Sequence, residues 1–141
     1  MKKNKLLVTG VAGYIGSTFT YEALKRGYNV IGIDNFSNSS KRLIDIFLNK
    51  FPNNFSFKKA DIRDFNQLKF FFAEQSGIES VIHFAALKSV PESEKKYDLY
   101  WKNNVIGTKN LTEIMKLNSI KKIIFSSSAA IYGEQKEQPI K

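Results

Sequence analysis

"TGVAGYIGSTF", residues 9–19, carries glycines at positions 10, 13 and 16, directly after a short apolar run. Glycine weakens helices, so a series of glycines at the start of a helical segment needs a physical reason. The unpaired N–H groups and the dipole of a helix N-terminus attract phosphate, and a missing Cβ lets the phosphate approach the backbone. The stretch therefore predicts a strand, a glycine turn and a helix that bind a pyrophosphate.

The three glycines have different expected tasks. We expect Gly10 to permit the tight turn, Gly13 to admit the phosphate and Gly16 to allow contact between helix and strand. The glycines alone leave a second interpretation open, a tight turn that binds nothing. Asp34 favours the phosphate-binding interpretation, because it directly follows the second apolar run, where dinucleotide sites place an acid that accepts hydrogen bonds from the ribose. No arginine follows directly, which favours NAD over NADP because a 2′-phosphate would meet an unpaired carboxylate.

Apolar runs recur along the chain at residues 5–9, 28–33, 55–60, 80–86 and 121–128. The segments between them have helical periodicity, so strands and helices alternate. Alternation implies a parallel sheet with helices on both faces, and the predicted fold class is a doubly wound, Rossmann-like α/β domain. A length of 141 residues fits one domain with a sizeable core.

The predicted helices carry local signals. Asp64 is the expected N-cap of a helix that Gly77 ends. The three phenylalanines at 70–72 are expected to pack against the sheet. Residues 96–118 are typical of one long helix, in which Gly107 indicates close approach to another element.

Composition argues against several classes of function. The chain has no cysteine and only one histidine, His83, so it has no disulfide framework, thiol chemistry or zinc site of its own. The net charge is +9, but the lysines are spread over every segment, which favours a solvated surface over a nucleic-acid face. No apolar run approaches the roughly 18 residues that a membrane span needs. We expect a cytoplasmic protein without a metal, a nucleic-acid partner or a membrane anchor.

Further motifs follow the glycine turn in order: "DNFSNS" (34–39), "ADIRD" (60–64), "VIHFAALKSV" (81–90), "NNVIGTKNL" (103–111) and "FSSSAAIYGE" (125–134). With residues 9–17 they resemble the extended short-chain dehydrogenase/reductase superfamily and, within it, the UDP-glucose 4-epimerase family. The lysine of "AALKSV" is the most discriminating residue. The resemblance implies an isomerase of galactose metabolism that uses NAD to interconvert UDP-glucose and UDP-galactose.

The resemblance also implies roles along the cofactor. Tyr14 and Ile15 would lie along the pyrophosphate with the three glycines. The residues expected around the adenosine ribose are Asp34, Asn35, Phe36, Ser37, Asn38 and Ser39, and those expected beside the adenine are Asp61 and Ile62. The nicotinamide half would be bordered by Phe84, Ala85, Ala86, Lys88 and Asn103, and Lys88 would also contact the substrate.

The resemblance implies that the catalytic residues lie only partly within these 141 residues. By the same resemblance Ser128 hydrogen-bonds the sugar hydroxyl under attack, whereas the general-base tyrosine and its lysine are expected beyond Lys141. Tyr132 and Lys136 have the spacing of that pair. Gly133 between them indicates a loop rather than the helix that would align them, and Tyr132 follows Ser128 too closely.

Residues 1–141 would then be a single NAD-binding domain of Rossmann type, incomplete at its C-terminus and without a C-terminal substrate domain. The fifth strand, at 121–125, would expose an edge that the longer protein pairs. We expect this fragment to be inactive alone, and a homodimer of the longer protein fits the resemblance. Two alternatives stay open: another NAD-dependent nucleotide-sugar epimerase or dehydratase, and a non-enzymatic dinucleotide-binding sensor.

Overall fold

One parallel sheet organises the computed structural model, which describes residues 4–133. Its strands are β1 (Lys5–Thr9), β2 (Asn29–Asp34), β3 (Phe55–Lys59), β4 (Ile78–His83) and β5 (Lys122–Phe125), in the order β3-β2-β1-β4-β5. Every hydrogen-bonded pair of strands is parallel. The chain builds outward from β1 to β3 and then outward on the other side to β5. The predicted doubly wound, Rossmann-like class is confirmed, and the strand order reverses beside β1, where such folds form a crevice.

Helices connect the strands. The first three are α1 (Tyr14–Lys25), α2 (Arg42–Lys50) and α3 (Phe65–Ala73). After β4 come α4 (Val90–Lys95), α5 (Tyr97–Tyr100), a π-helical turn (Trp101–Ile106) and α6 (Gly107–Leu117), and after β5 a 3-10 helix (Ala129–Tyr132). The predicted cap of α3 is confirmed, because the Asp64 carboxylate accepts a 2.9 Å hydrogen bond from the Gln67 N–H.

The strands send alternate side chains into two apolar layers. One layer joins Leu7, Ile31 and Val81 to buried side chains of α3 and α6. The other joins Leu6, Val8, Val30 and Ile82 to buried side chains of α1 and α2. Both faces of the sheet are therefore covered by helices, as the unbroken apolar runs predicted.

The phenylalanines of α3 correct one prediction. Phe71 and Phe72 are each 2% exposed in the core, but Phe70 is 72% exposed. Successive residues of an α-helix differ in direction by about 100°, so three in a row cannot all face the sheet. The prediction that all three pack there was wrong for Phe70.

The long helix predicted over 96–118 is helical from Tyr97 to Leu117, but its middle is π-helical. π-helical turns are rare in proteins, but those that occur often lie at functional sites. The expected close approach at Gly107 is confirmed, because a Cβ there would lie 2.7 Å from Cγ1 of Ile62. The helix therefore packs directly on the segment that follows β3.

Two apolar runs continue three residues past the strands that they predicted. The run 80–86 leaves the sheet after His83, and the run 121–128 leaves it after Phe125. β2 instead extends one residue beyond its run and ends at Asp34. The carboxyl ends of parallel strands share one edge of the sheet, so the residues after β4 and β5 lie on the same edge as Asp34 and the glycine turn.

Among residues 4–133, no helix is long and apolar enough to cross a membrane. Within the same range, no group of three or more His, Cys, Asp or Glu side chains could hold a metal ion.

Candidate functional site

The glycine turn joins β1 to α1 at the carboxyl edge of the sheet. Gly10 has a φ of +68°, a left-handed conformation that favours glycine, and a Cβ there would lie 2.7 Å from the Ala85 nitrogen. A Cβ on Gly16 would overlap the carbonyl oxygen of Gly10, whereas one on Gly13 would stand 3.3 Å from that oxygen. Packing within the protein therefore demands glycine at positions 10 and 16, and position 13 has the weakest internal reason to be glycine.

The N-terminus of α1 is open for an anion. Its N-cap is Gly13, which has no side chain to cap the helix, and its first turn contains no acidic residue. The first N–H groups of a helix have no partner within it, and the dipole adds positive charge there. Tyr14 and Ile15, the first residues of α1, are exposed.

Asp34 links the glycine turn to the loop that follows β2. The residue is buried, with 8% of its surface exposed. Oδ2 accepts a 3.0 Å hydrogen bond from the Ala12 N–H, and Oδ1 accepts bonds from the Phe36 N–H (2.9 Å) and the Ser39 hydroxyl (2.8 Å). Phe36 has a φ of +61°, and its ring packs 5.3 Å from that of Phe57. Asp34 thus shapes both neighbouring loops, a role that sequence reasoning missed.

Asp61 is held by charge and hydrogen bonds. Its carboxylate receives a 2.6 Å bond from Nη2 of Arg63 and a 2.9 Å bond from Nδ2 of Asn35. The hydrogen bond from Arg63 is the main reason that the pKa of Asp61 falls to about 2. Asp61 is therefore ionised at neutral pH and fixed beside the loop after β2.

A groove of about 610 Å³ runs along the carboxyl edge of the sheet. Three predicted site residues, Phe36, Ser39 and Asp61, are not part of its lining. The Phe36 N–H and the Ser39 hydroxyl donate hydrogen bonds to Asp34, and Asp61 forms an ion pair with Arg63. The predicted site residues that do line the groove are Gly10, Gly13, Tyr14, Ile15, Gly16, Asp34, Asn35, Ser37, Asn38, Ile62, Phe84, Ala85, Ala86, Lys88, Asn103 and Ser128.

One wall of the groove is the β4 loop, residues 84–89. Asn104 holds it from the π-helical turn: its Oδ1 accepts a 2.9 Å bond from the Leu87 N–H, and its Nδ2 donates a 2.8 Å bond to the Leu87 carbonyl. The neighbouring Asn103 donates from Nδ2 to the same Oδ1 at 2.9 Å. Sequence reasoning selected Asn103 and missed Asn104, although both belong to the "NNVIGTKNL" motif.

The far end of the groove contains the segment after β5. Ser126, Ser127 and Ser128 line it, and only Ser128 was selected from the sequence. Tyr132 ends the 3-10 helix, and Gly133 follows with a left-handed φ of +63°. Lys136, the other half of the rejected pair, lies outside the described residues.

Comparison with known proteins agrees with this geometry. Residues 6–141 match a family model described as "NAD dependent epimerase/dehydratase family". The chain belongs to this family. A UDP-glucose 4-epimerase of Cyamopsis tetragonoloba is 45% identical over 142 residues, which cover 99% of this chain and 40% of the relative. One of Bacillus subtilis (strain 168) is 44% identical over 135 residues, which cover 96% of this chain and 40% of the relative. The chain thus spans about 40% of the length of the curated relatives it matches.

Solved structures of family members have the same fold. A UDP-glucose 4-epimerase from Bifidobacterium longum, in complex with NAD+ and UDP, matches with a TM-score of 0.90 and 42% identity over 97% of this chain and 41% of that one. A UDP-Glc/GlcNAc 4-epimerase from Campylobacter jejuni matches with a TM-score of 0.88 and 36% identity over 95% of this chain and 40% of that one. The resemblance to this family's epimerases is confirmed.

Proposed function

We propose that this chain binds NAD in the groove and is the cofactor-binding part of a UDP-glucose 4-epimerase, which interconverts UDP-glucose and UDP-galactose. The observation that carries the proposal is the open N-terminus of α1 at the point where the strand order reverses, with Asp34 fixed at the end of the adjacent strand. An uncapped helix start attracts a pyrophosphate, and a neighbouring acid accepts ribose hydroxyls.

The proposed cofactor site follows the groove. The N–H groups of α1 and the glycine turn receive the pyrophosphate, with Tyr14 and Ile15 along it. Each carboxylate oxygen accepts more than one hydrogen bond, so Asp34 retains acceptor capacity for the ribose beside its bonds to Ala12, Phe36 and Ser39. The same negative charge disfavours the 2′-phosphate of NADP. Ile62 lines the groove where we propose the adenine to lie. Asp61 is not part of that lining, and its carboxylate holds the lining residue Asn35 by a hydrogen bond.

The opposite half of the groove receives the nicotinamide and the sugar in this proposal. The β4 loop and Asn103 border the nicotinamide, and Lys88 and Ser128 meet the substrate. When bound, NAD supplies the hydride acceptor and donor for chemistry at the sugar carbon. Ser128 donates or accepts a hydrogen bond at the reacting hydroxyl and so positions it. The tyrosine base and its lysine would be contributed by residues that follow position 141.

Several further properties of the longer protein belong to the same proposal. The relatives are two and a half times as long as this chain, judging from its 40% coverage of them. We therefore assign turnover and the substrate half of the site to the longer protein. Its assembly as a homodimer is proposed from the resemblance alone. A cytoplasmic location is proposed from the cysteine-free composition.

Isothermal titration of the 141-residue chain with NAD and NADP tests the cofactor proposal. We expect one molecule of NAD to bind per chain and NADP to bind more weakly. The matched variants are Gly13→Val, which places a side chain at the N-cap of α1, and Thr18→Val, which alters an exposed position of the same helix outside the groove. Gly13→Val should abolish NAD binding while Thr18→Val retains it. A folded chain that does not bind NAD, or that binds NAD and NADP with equal affinity, would contradict the proposal.

A coupled assay of the full-length protein with UDP-galactose tests the activity. We expect UDP-glucose to form, and Ser128→Ala to lower turnover without loss of NAD. Turnover of an N-acetylated UDP-sugar alone would identify a different epimerase of the same family. NAD binding without turnover of any UDP-sugar would instead indicate a dinucleotide sensor. The 141-residue chain alone should show no turnover, because a positioned base contributes about a hundredfold to ten-thousandfold.

A further inference from the structure

His83 is the only histidine of the chain, and the proposed reaction does not use it. The residue is 2% exposed and lies at the carboxyl end of β4. Nδ1 lies 2.6 Å from Oγ1 of Thr9, on β1, and Nε2 lies 2.9 Å from Oγ1 of Thr108, on α6. The ring therefore connects the central strand to the helical segment that bears Asn103 and Asn104.

The directions of these hydrogen bonds follow from the donors and acceptors available. Thr108 donates its hydroxyl proton to the carbonyl oxygen of Asn104 at 2.7 Å. The hydroxyl of Thr108 must then accept from His83, which places the ring proton on Nε2. A neutral ring has one N–H, so Nδ1 accepts the hydroxyl proton of Thr9. Burial lowers the pKa of His83 to about 4, in agreement with a neutral ring.

Both ends of this series of hydrogen bonds reach the β4 loop. At one end, Oγ1 of Thr9 accepts a 3.2 Å bond from the Ala85 N–H. At the other end, the Asn104 side chain accepts a hydrogen bond from the Leu87 N–H and donates one to the Leu87 carbonyl. The loop is thus held at two positions by groups that the imidazole of His83 links, and Ala85 and Leu87 line the groove.

We propose that His83, as the neutral Nε2–H tautomer, is a positioning residue that holds the β4 loop in the shape that lines the groove. The neutral ring has one donor and one acceptor on opposite sides, and these match the hydroxyl of Thr108 on α6 and that of Thr9 on β1. Only the last step, an effect on NAD affinity, rests on the proposed function. The tautomer and the ordering of the loop are properties of the protein without cofactor.

Nitrogen-15 NMR of the wild-type 141-residue chain tests the tautomer without any variant. At pH 7 the ring should show a protonated Nε2 and an unprotonated Nδ1, which have well-separated chemical shifts. A proton on Nδ1, a charged ring, or rapid exchange between the tautomers would overturn the proposal, because the hydrogen-bond order derived above would then be wrong.

Hydrogen exchange tests whether His83 acts on the loop. Thr108→Val keeps the volume of the side chain and removes the acceptor of the Nε2 proton, whereas Thr108→Ser keeps the hydroxyl. Thr112→Val is the matched control, since Thr112 is exposed on the same helix. In Thr108→Val the amides of Ala85 and Leu87 should exchange roughly tenfold to a hundredfold faster, the range expected when a buried donor loses its partner.

The set of amides that exchange faster distinguishes a positioning role of His83 from a general loss of stability. Amides of β2 should keep their wild-type rates in every variant, and Thr108→Ser should restore the rates at Ala85 and Leu87. Unchanged loop rates in Thr108→Val, or equal acceleration throughout the sheet, would overturn the proposal. NAD affinity should fall with Thr108→Val and return with Thr108→Ser. If the wild-type chain binds no NAD, the proposed function fails while the exchange pattern still decides the role of His83.

Discussion

Acidification below pH 6.5 should destabilise this protein through His83. The pKa of the buried imidazole is lowered to about 4 from 6.5, and the cause is burial. Between these two values the unfolded chain binds a proton that the folded chain excludes. Stability is therefore full above pH 6.5 and is lost progressively as the pH falls toward 4.

The size of the effect follows from the two pKa values. Each pH unit in this window removes up to about 1.4 kcal/mol from the free energy of unfolding. Between pH 7 and pH 5 the loss amounts to about 2 kcal/mol, which is a large part of the stability of an ordinary domain of this size. The lowered carboxylate pKa values of Asp61 and Glu92 affect stability only below about pH 4.5, outside the measured range.

Urea unfolding at pH 7, 6 and 5, followed by the fluorescence of the single tryptophan, Trp101, measures this loss. The variant His83→Asn removes the titrating group and serves as the reference. Its absolute stability is lower because it breaks the bonds to Thr9 and Thr108, but its free energy of unfolding should change little between pH 7 and 5. If wild type and His83→Asn lose the same free energy over this range, the folded-state pKa of His83 is near normal and the reasoning is refuted.

Three substitutions test other parts of the structure. Gly16→Ala should destabilise the chain by about 1–3 kcal/mol in urea unfolding, because its Cβ overlaps the Gly10 carbonyl oxygen; wild-type stability would show that the turn relaxes freely. Asp34→Ala should lower the free energy of unfolding by about 1–3 kcal/mol and weaken NAD binding in calorimetry, because it removes the acceptor of two backbone N–H groups and one hydroxyl. An unchanged stability and an unchanged NAD affinity would contradict the proposal that Asp34 both shapes the loops and binds the ribose. Phe71→Ala should destabilise by about 3–5 kcal/mol, whereas Phe70→Ala should stay within about 0.5 kcal/mol of wild type in the same unfolding assay. Equal effects of the two phenylalanine substitutions would mean that Phe70 contributes to the core.

Local requirements made much of the fold predictable from the sequence. The alternation of apolar runs and helical segments indicated a parallel sheet covered on both faces, because only buried strands are apolar on both sides. The left-handed turn at Gly10 and the cap at Asp64 depend on a few neighbouring residues, so their signals are local. The same local pattern located most of the groove's lining, since strand ends of a parallel sheet meet at one edge.

Contacts between distant parts of the chain decided the rest. Thr9 and His83 are 74 positions apart, and no local pattern indicates that strand order brings them together. Asn104 meets Leu87 only because a π-helical turn packs beside the β4 loop. The sequence by itself determined the elements and their glycine turn, since propensity and periodicity act over a few residues. The tertiary structure decided which polar side chains support the groove and which line it, because pairing and burial depend on residues that the sequence does not place together.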